Sequence, residues 1–171
     1  MTASPPSPKP RRKQSAAPAP DGPTLDLERY VPAFITFIAN KLSNSATAFY
    51  QKNFAINVTE WRIMSLLAIE PGIPASRICQ VIGFNKGPVS RTLAEMEKRG
   101  LIAIRTDPDD GRTHSISLSA KGRATHDKVI VAALDRERRL LSCLDRNEQE
   151  ALIDLLRRLH DNLGAVTGKD A

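Results

Sequence analysis

The sequence predicts a mainly α-helical fold with a small β-wing. Hydrophobic residues occupy 41% of the 171 positions but aromatic residues only 5%, and a core of Leu, Ile, Val and Ala suits packed helices better than many strands. Apolar residues recur at steps of three and four through most of the chain, which is the helical period. The exception is the segment 102–118, where two alternating stretches flank an Asp-Gly turn and indicate a β-hairpin.

Two helices are expected ahead of residue 71. Apolar residues at helical spacing run over about 25–50, and Pro32 lies near the start of that stretch, where a helix tolerates proline. A second helix is expected over about 61–69, with Thr59 as its N-cap. A Pro-Gly pair at 71–72 ends this helix.

A helix-turn-helix unit is expected next. A short third helix begins around Pro74, and Gly83 provides its left-handed exit. Asn85 then caps a fourth helix that carries Pro88 in its first turn. Both helices are too short to bury a core alone, so they must pack on the other helices.

A two-stranded wing follows the fourth helix. The segments 102–106 and 114–118 alternate with the period of a half-buried strand. Between them, Asp-Pro-Asp-Asp-Gly-Arg at 107–112 is typical of a turn, since Pro fixes φ and Asp-Gly favours positive φ. With Arg112 near its tip, such a hairpin can reach a DNA minor groove, whose negative potential attracts arginine. Asp110 either orients Arg112 for that contact or stabilises the turn with it, and the two interpretations are compatible.

Two long helical stretches complete the chain. Ser119 opens a fifth helix that extends to about residue 144. Asp145 and Glu148 then form a capping-box start for the last helix. The first and last helices have more apolar positions than a small central lobe can cover, so these helices are expected to contact more than that lobe.

Charge and proline are unevenly distributed. The net charge is +6 and the pI about 9.6, which points to a phosphate-bearing partner. Residues 1–24 contain seven of the twelve prolines and no periodic apolar face, so they are expected to be a disordered basic tail. This tail either contacts the DNA backbone or is a dispensable solvated extension, the interpretation that we prefer. A domain over 25–165 and a short tail over 166–171 make up the rest.

The fourth helix has a basic outward stripe. At 3.6 residues per turn, one side carries Val89, Leu93 and Met96, and the opposite side carries Gly87, Arg91, Ala94 and Lys98, flanked by Ser90. Small residues allow a helix to lie deep in a major groove, and Arg91 can contact guanine or a phosphate. Lys86 lies in the first turn, where the backbone N–H groups and the helix dipole favour phosphate. The competing interpretation, a solvated basic face, fits poorly with Gly87 and Pro88.

Other classes of protein find little support in the sequence. No apolar run approaches the ~20 residues needed to cross a bilayer, and the N-terminus lacks the apolar stretch of a secretory signal, so a cytoplasmic protein is expected. Cys79 and Cys143 are too few for a zinc site or a disulfide framework and are expected to be small buried residues. His114, His126 and His160 lie far apart, and no catalytic motif is recognised, so neither an enzyme nor a metal site is expected.

The segment from Ile78 to Gly122 resembles the MarR family of bacterial winged-helix regulators. The matching features are Val-Ser-Arg-Thr-Leu at 89–93, Lys-Arg-Gly-Leu-Ile at 98–102, the Asp-Pro-Asp-Asp-Gly-Arg wing, and Leu-Ser-Ala-Lys-Gly at 118–122. The order of elements also matches, from about residue 25 to residue 163. The resemblance implies a winged helix-turn-helix lobe over about 57–120 and dimerisation helices over about 25–50 and 120–165.

The resemblance also implies partners. It implies a homodimer that binds a pseudo-palindromic operator in double-stranded DNA. Many members are repressors released by a small, often aromatic, ligand, so a small-molecule effector is expected and no other cofactor. Ser76 would contact a phosphate and Arg112 the minor groove. Together with the outward stripe, the matching positions give the expected DNA contacts: Ser76, Lys86, Gly87, Pro88, Ser90, Arg91, Lys98, Asp110 and Arg112.

The effector site is expected between the dimerisation helices and the DNA lobe, as the resemblance implies. Candidate wall residues are Phe34, Phe37, Lys41, Trp61 and Met64. Each of the four apolar ones is also explained as ordinary core, and Lys41 as a cation that reaches solvent.

One alternative function is a winged-helix module that binds proteins and reads no DNA sequence. Fold alone does not separate the two functions. The outward stripe discriminates between them, because an interaction module would favour exposed apolar residues where this chain has Arg91 and Lys98.

Overall fold

The computed structural model describes residues 22–106 and 114–167, and within them the fold is mainly α with one two-stranded sheet, as predicted. The helices and strands are α1 (Val31–Phe54), α2 (Val58–Ile69), α3 (Ala75–Ile82), α4 (Lys86–Lys98), β1 (Ile102–Thr106), β2 (His114–Leu118), α5 (Ala120–Leu140), α6 (Arg146–Asp161) and α7 (Gly164–Thr167). The chain divides into two compact units, Met1–Leu42 and Ser43–Ala171, and α1 passes through the boundary between them.

The first helix begins later and ends later than the sequence suggested. A turn precedes it, in which the carboxylate of Asp26 accepts the backbone N–H of Glu28 at 3.0 Å. Pro32 is the second residue of α1, the position that suits its missing N–H, so the predicted start near residue 25 is wrong. The predicted end near residue 50 is also wrong, because α1 continues to Phe54 and stops where Ala55 adopts a φ of 56°.

The second helix is capped by a residue that the sequence reasoning missed. The Asn57 side chain accepts the N–H groups of Thr59 and Glu60, at 2.9 and 3.0 Å. The carboxylate of Glu60 accepts the N–H of Asn57 at 2.8 Å, which completes a capping box. The prediction that Thr59 is the N-cap is therefore wrong, because Thr59 lies inside the first turn of α2.

One core cluster lies in the second unit. It is formed by apolar residues from the second half of α1, from α2 to α4, from the sheet and from α5, such as Tyr50, Ile63, Ile78, Val89 and Val129. These side chains are between 0% and 4% exposed. The short helices α3 and α4 thus bury their apolar faces against α2 and the sheet, as expected for helices too short to be stable alone.

The wing strands pair as the alternation predicted. β1 and β2 are antiparallel, with Ile102 opposite Leu118 and Thr106 opposite His114. Ile73, in the loop before α3, forms an isolated bridge with Ile116. Because Ile102 and Ile116 are nearly fully buried, the base of the wing is fixed to the core. The turn residues predicted at 107–112 lie outside the described residues.

The last part of the chain follows the predicted pattern with one difference. Ser119 caps α5 through the N–H of Gly122, and Asp145 with Glu148 forms the predicted capping box of α6. However, α5 ends at Leu140 and a single 3₁₀ turn, Leu141–Cys143, replaces its predicted last residues. The expectation that both cysteines are buried is wrong for Cys143, which is exposed, while Cys79 is half-buried against the core.

Candidate DNA interface

The buried and outward sides of α4 are as the helical wheel predicted. Val89 and Met96 are 0% exposed and Leu93 is 4% exposed, so this side anchors the helix in the core. The residues of the outward stripe and the flanking serine are all exposed: Gly87, Ser90, Arg91, Ala94 and Lys98. The two long cations of the outward stripe, Arg91 and Lys98, are therefore available to a partner.

The N-terminal end of α4 is free of a side-chain cap. Asn85 occupies the predicted N-cap position with extended backbone angles, but its side chain accepts none of the N–H groups of the first turn. The first helical residue, Lys86, and Pro88 are exposed. First-turn N–H groups without a protein acceptor attract anions, and Lys86 adds a positive charge at the same end.

Two predicted contact residues from different helices share one groove. Ser76, at the start of α3, and Lys86, at the start of α4, both line a cavity of about 450 Å³. Cys79 and His114 line the same cavity. The structure thus brings together a hydroxyl and an ammonium group that the sequence places ten residues apart, and it adds His114, which the sequence reasoning did not include.

Arg91 lines a second, shallow and open cavity. It has a volume of about 350 Å³ and is lined by Asn57, Glu60, Pro88, Arg91, Thr92 and Glu95. Glu95 lies one turn beyond Arg91 on α4, a spacing at which side chains are neighbours. Glu95 was not among the expected contact residues, although its four-residue spacing from Arg91 is visible in the sequence. A carboxylate beside Arg91 limits the directions from which a phosphate or a base can approach the guanidinium group.

The C-terminal end of α4 is closed by backbone hydrogen bonds. Gly100 has a φ of 69°, which favours glycine. The N–H of Leu101 donates to the carbonyl of Met96 at 2.9 Å, and the N–H of Gly100 donates to that of Glu97 at 2.8 Å. This pattern is a Schellman motif, and it turns the chain directly into β1.

The start of α5 packs against this exit. The hydroxyl of Ser119 donates to the carbonyl of Gly100 at 2.6 Å, and its N–H donates to that of Leu101 at 3.1 Å. The ammonium group of Lys121 donates to the carbonyl of Arg99 at 2.7 Å. A Cβ on Gly122 would lie 1.8 Å from the carbonyl oxygen of Leu101. We call these contacts, between residues 99–101 and residues 119–122, the α4–α5 junction.

An ion pair between the half-buried Arg99 and the buried Glu60 holds the same exit from the other side. The Arg99 guanidinium group lies 2.6 Å from the carboxylate of Glu60, which is 4% exposed. Arg99 also donates to the backbone carbonyl of Ala55, at the end of α1. Since the other oxygen of Glu60 accepts the Asn57 N–H, the buried carboxylate is hydrogen-bonded on both oxygens, as a buried charge requires.

A further ion pair joins α2 to α3. Arg77 donates to both carboxylate oxygens of Glu70, at 3.0 Å each. The hydrogen bonds from Arg77 hold the pKa of the Glu70 carboxyl below its usual value. Both side chains are well exposed, so we expect the pair to orient α3 more than to stabilise the fold.

The wing tip cannot be compared with its prediction. Asp110 and Arg112 lie outside the residues that the structure describes. On the tip side of the described strands, Arg105, the second-last residue of β1, and His114, the first residue of β2, are both exposed. Arg105 was not among the predicted contacts, although its position in an alternating strand shows that it faces away from the core.

The five candidate effector residues have different surroundings. Phe34 and Phe37 are 46% and 51% exposed on the first half of α1, where Lys41 is also exposed. Trp61 is half-buried and stacks on the ring of His126 at 5.4 Å. Met64 is 0% exposed within the core. The first three residues belong to the first unit and the other two to the second, and their role in binding a ligand stays a prediction.

The described parts of the chain show neither a metal cluster nor a membrane span. Over 22–106 and 114–167, no three His, Cys, Asp or Glu side chains are close enough together to hold a metal ion. Within the same ranges, no helix has the length and apolarity to cross a membrane.

The architecture defines a class of protein. Two short helices joined by a tight turn, an exposed basic stripe on the second of them, and a two-stranded sheet after it make a winged helix-turn-helix lobe. The sequence model of the MarR family matches residues 56–113, which include all of this lobe except the second strand.

Similar proteins of known identity agree with this class. A MarR/EmrR family transcriptional regulator from Acinetobacter sp. ADP1 has a crystal structure that is 30% identical, covers 82% of this chain and 99% of its own, and has a TM-score of 0.78. The transcriptional regulator HosA of Escherichia coli O111:H- is 29% identical over 104 residues, which are 58% of this chain and 74% of HosA. The chain belongs to the MarR family of transcriptional regulators.

A structure with DNA shows the same fold. The S. aureus MepR-DNA complex is 20% identical to this chain, covers 80% of it and 98% of its own chain, and has a TM-score of 0.69. At this identity the likeness establishes the fold alone.

Proposed function

We propose that this protein is a sequence-specific DNA-binding transcriptional regulator that acts in the cytoplasm as a repressor and is released by a small ligand. The observation that carries the proposal is the two-sided character of α4. One side is anchored by Val89 and Met96, which are 0% exposed, and the other side presents Arg91 and Lys98 to solvent. A helix with this arrangement can enter a major groove with one side while its other side stays packed in the core.

The outward stripe also favours DNA binding over the alternative function, a module that binds proteins. A protein-interaction surface is enriched in aromatic residues and depleted in lysine, whereas the outward stripe consists of small residues and cations. The groove lined by Ser76 and Lys86 supplies two donors suited to phosphate. We therefore favour contacts with a DNA backbone and base edges over contacts with a protein, and we propose no catalytic role.

We further propose that the regulator is a homodimer. On α1 the side chains of Phe34, Phe37 and Ile38 are about half exposed, and on α6 so are Leu155 and Leu156. Rows of large apolar side chains on two helices exceed the scattered apolar exposure of a monomer. A two-fold dimer would present two copies of α4 to half-sites about one helical turn of DNA apart.

A DNA-binding assay tests the central proposal. The probe is a duplex that contains the promoter region of the protein's own gene, and the reference is a random duplex of equal length. The parent protein should prefer the promoter duplex at low salt, where phosphate contacts are strongest. Arg91→Ala should abolish the preference and Arg112→Ala should weaken it less, because one loses a base contact and the other a minor-groove contact.

A matched control separates base reading from charge. Lys128→Ala, on the exposed side of α5, also removes one positive charge and should retain the preference for the promoter duplex. If the parent protein binds neither duplex at low salt, the proposed function is wrong. If Arg91→Ala behaves like Lys128→Ala, the proposed orientation of α4 in the groove is wrong.

Sedimentation tests the proposed dimer. The parent protein should sediment as a dimer, and Leu156→Glu should dissociate it because a charge would then lie in an apolar interface. Lys128→Glu, a charge change on an exposed part of α5, should leave the dimer intact. A monomeric parent protein at micromolar concentration would contradict the proposal.

A further inference from the structure

We propose that Lys121 is a positioning residue for DNA recognition, which acts by fixing the C-terminal end of α4 through the α4–α5 junction. The proposal rests on the proposed DNA-binding function and adds a residue that contacts no base. Its starting point is the contrast between the two ends of α4, which is free of a side-chain cap at Asn85 and held by several groups at Arg99.

At the held end, every backbone N–H and carbonyl of residues 99–101 is hydrogen-bonded. The Arg99 side chain pairs with Glu60, and the backbone carbonyl of Arg99 accepts a hydrogen bond from the ammonium group of Lys121. The next two carbonyls accept the hydroxyl and the N–H of Ser119. Among the three bonds to the carbonyls of residues 99–101, the one from Lys121 is the charge-assisted one, which makes it stronger than a bond between neutral groups.

The close approach at Gly122 makes these bonds possible. A Cβ at this position would meet the carbonyl oxygen of Leu101 at 1.8 Å and the side chain of Leu118 at 3.3 Å. Only a glycine allows the first turn of α5 to lie this close to the exit of α4. The Ser-Ala-Lys-Gly sequence at 119–122, besides starting α5 through the Ser119 cap, therefore holds the end of α4 against the start of α5.

Because α4 is held at its C-terminal end, the α4–α5 junction also fixes the position of Arg91 relative to DNA. Arg91 lies eight residues before Arg99, which is about 12 Å along a helix. A tilt of about 10° around the held end would move Arg91 by about 2 Å at a rise of about 1.5 Å per residue. Bidentate hydrogen bonds to a base tolerate only a few tenths of an ångström, so Lys121 influences base recognition from outside the interface.

The experiment compares Lys121→Met with Lys121→Arg and Lys128→Met. Methionine keeps the length of the stem but removes the donor, arginine retains a charged donor, and Lys128→Met removes the same charge from an exposed part of α5. The measured quantities are the affinities for the promoter duplex and for the random duplex, the salt dependence of the latter, and amide hydrogen exchange across α4 in the free protein.

The expected result is a loss of discrimination without a loss of general affinity. For Lys121→Met, the ratio of the two affinities should fall by about 5-fold to 140-fold, the value of one bidentate base contact. The amides of α4 should exchange faster while those of α2 do not. Lys121→Arg should restore both properties, and Lys128→Met should resemble the parent protein.

Three results would overturn the proposal. One is an unchanged affinity ratio in Lys121→Met, and another is unchanged hydrogen exchange across α4. The third is a salt-dependence slope smaller by about 0.9, which would identify Lys121 as a direct phosphate contact. Because hydrogen exchange is measured without DNA, it decides whether Lys121 fixes α4 even if the parent protein fails to distinguish the two duplexes. That failure would count against the proposed function.

Discussion

Gly122→Ala is the substitution whose effect follows most directly from the structure. Alanine normally stabilises a helix relative to glycine by about 0.5–1 kcal/mol. At this position the added Cβ would lie 1.8 Å from the carbonyl oxygen of Leu101 and 2.9 Å from its carbonyl carbon. These are backbone atoms, so no side-chain rotation can relieve the contact.

The loss of folding stability in Gly122→Ala can be estimated from the distance that the start of α5 must move. The start of α5 must retreat by about 1.5 Å to restore van der Waals separation, which stretches the bond from the Ser119 N–H to Leu101 beyond hydrogen-bond distance. Overpacking costs about 1–3 kcal/mol, and each lost hydrogen bond costs about 1 kcal/mol. After the helix-propensity gain, we expect a net destabilisation of about 2–3 kcal/mol. This corresponds to a Tm lower by about 5–10 °C.

Thermal unfolding at equal protein concentrations measures the effect, since the Tm of a dimer depends on concentration. Gly87→Ala is the matched control, because Gly87 lies in the first turn of α4 with nothing within 4 Å of its ideal Cβ. Its Tm should equal or exceed that of the parent protein. If Gly122→Ala also melts at or above the parent temperature, the contact between α5 and Leu101 is not the constraint that we infer.

Two further predictions concern α2. Asn57→Ala should lower the free energy of unfolding by about 1 kcal/mol through loss of the cap, whereas Thr59→Ala should cost clearly less in the same urea titration; the reverse order would restore Thr59 as the cap. The pKa of the Glu70 carboxyl is lower in the folded protein than in the unfolded chain. The bond from Arg77 to Glu70 therefore stabilises the fold above the unfolded pKa of this carboxyl, and the stabilisation is lost as the pH falls through its folded pKa. The Tm difference between the parent protein and Glu70→Gln should therefore be present at about pH 7 and shrink as acid protonates the Glu70 carboxyl, and a difference independent of pH would contradict this origin.

Much of the fold could be predicted because its signals are local. The alternation at 102–106 and 114–118 gave both strands with their observed bounds. The spacing of Val89, Leu93 and Met96 gave the buried side of α4. Such patterns depend on residues within a few positions of one another, where backbone geometry fixes which side chains share a face.

The errors occurred where local signals competed or were missing. Asn57 and Thr59 are both suitable N-caps, and only the Glu three residues after Asn57 distinguishes them as a capping box. The end of α1 carries no Gly or Pro, since Ala55 adopts the left-handed conformation instead. The bonds from Arg99 to Glu60 and from Lys121 to Arg99 join positions 39 and 22 residues apart, and no periodicity predicts contacts over such distances.

The wing is closed at its base by groups that do not depend on its tip. Five paired positions, the bridge from Ile73 to Ile116 and the bond from Ser119 to Leu101 all lie outside the segment 107–113. We therefore expect the ladder and the core to tolerate insertions, deletions and substitutions in that segment. Duplicated copies of the gene can thus diverge in the part expected to reach the minor groove while they inherit the same scaffold, so new operator preferences can evolve without a loss of folding.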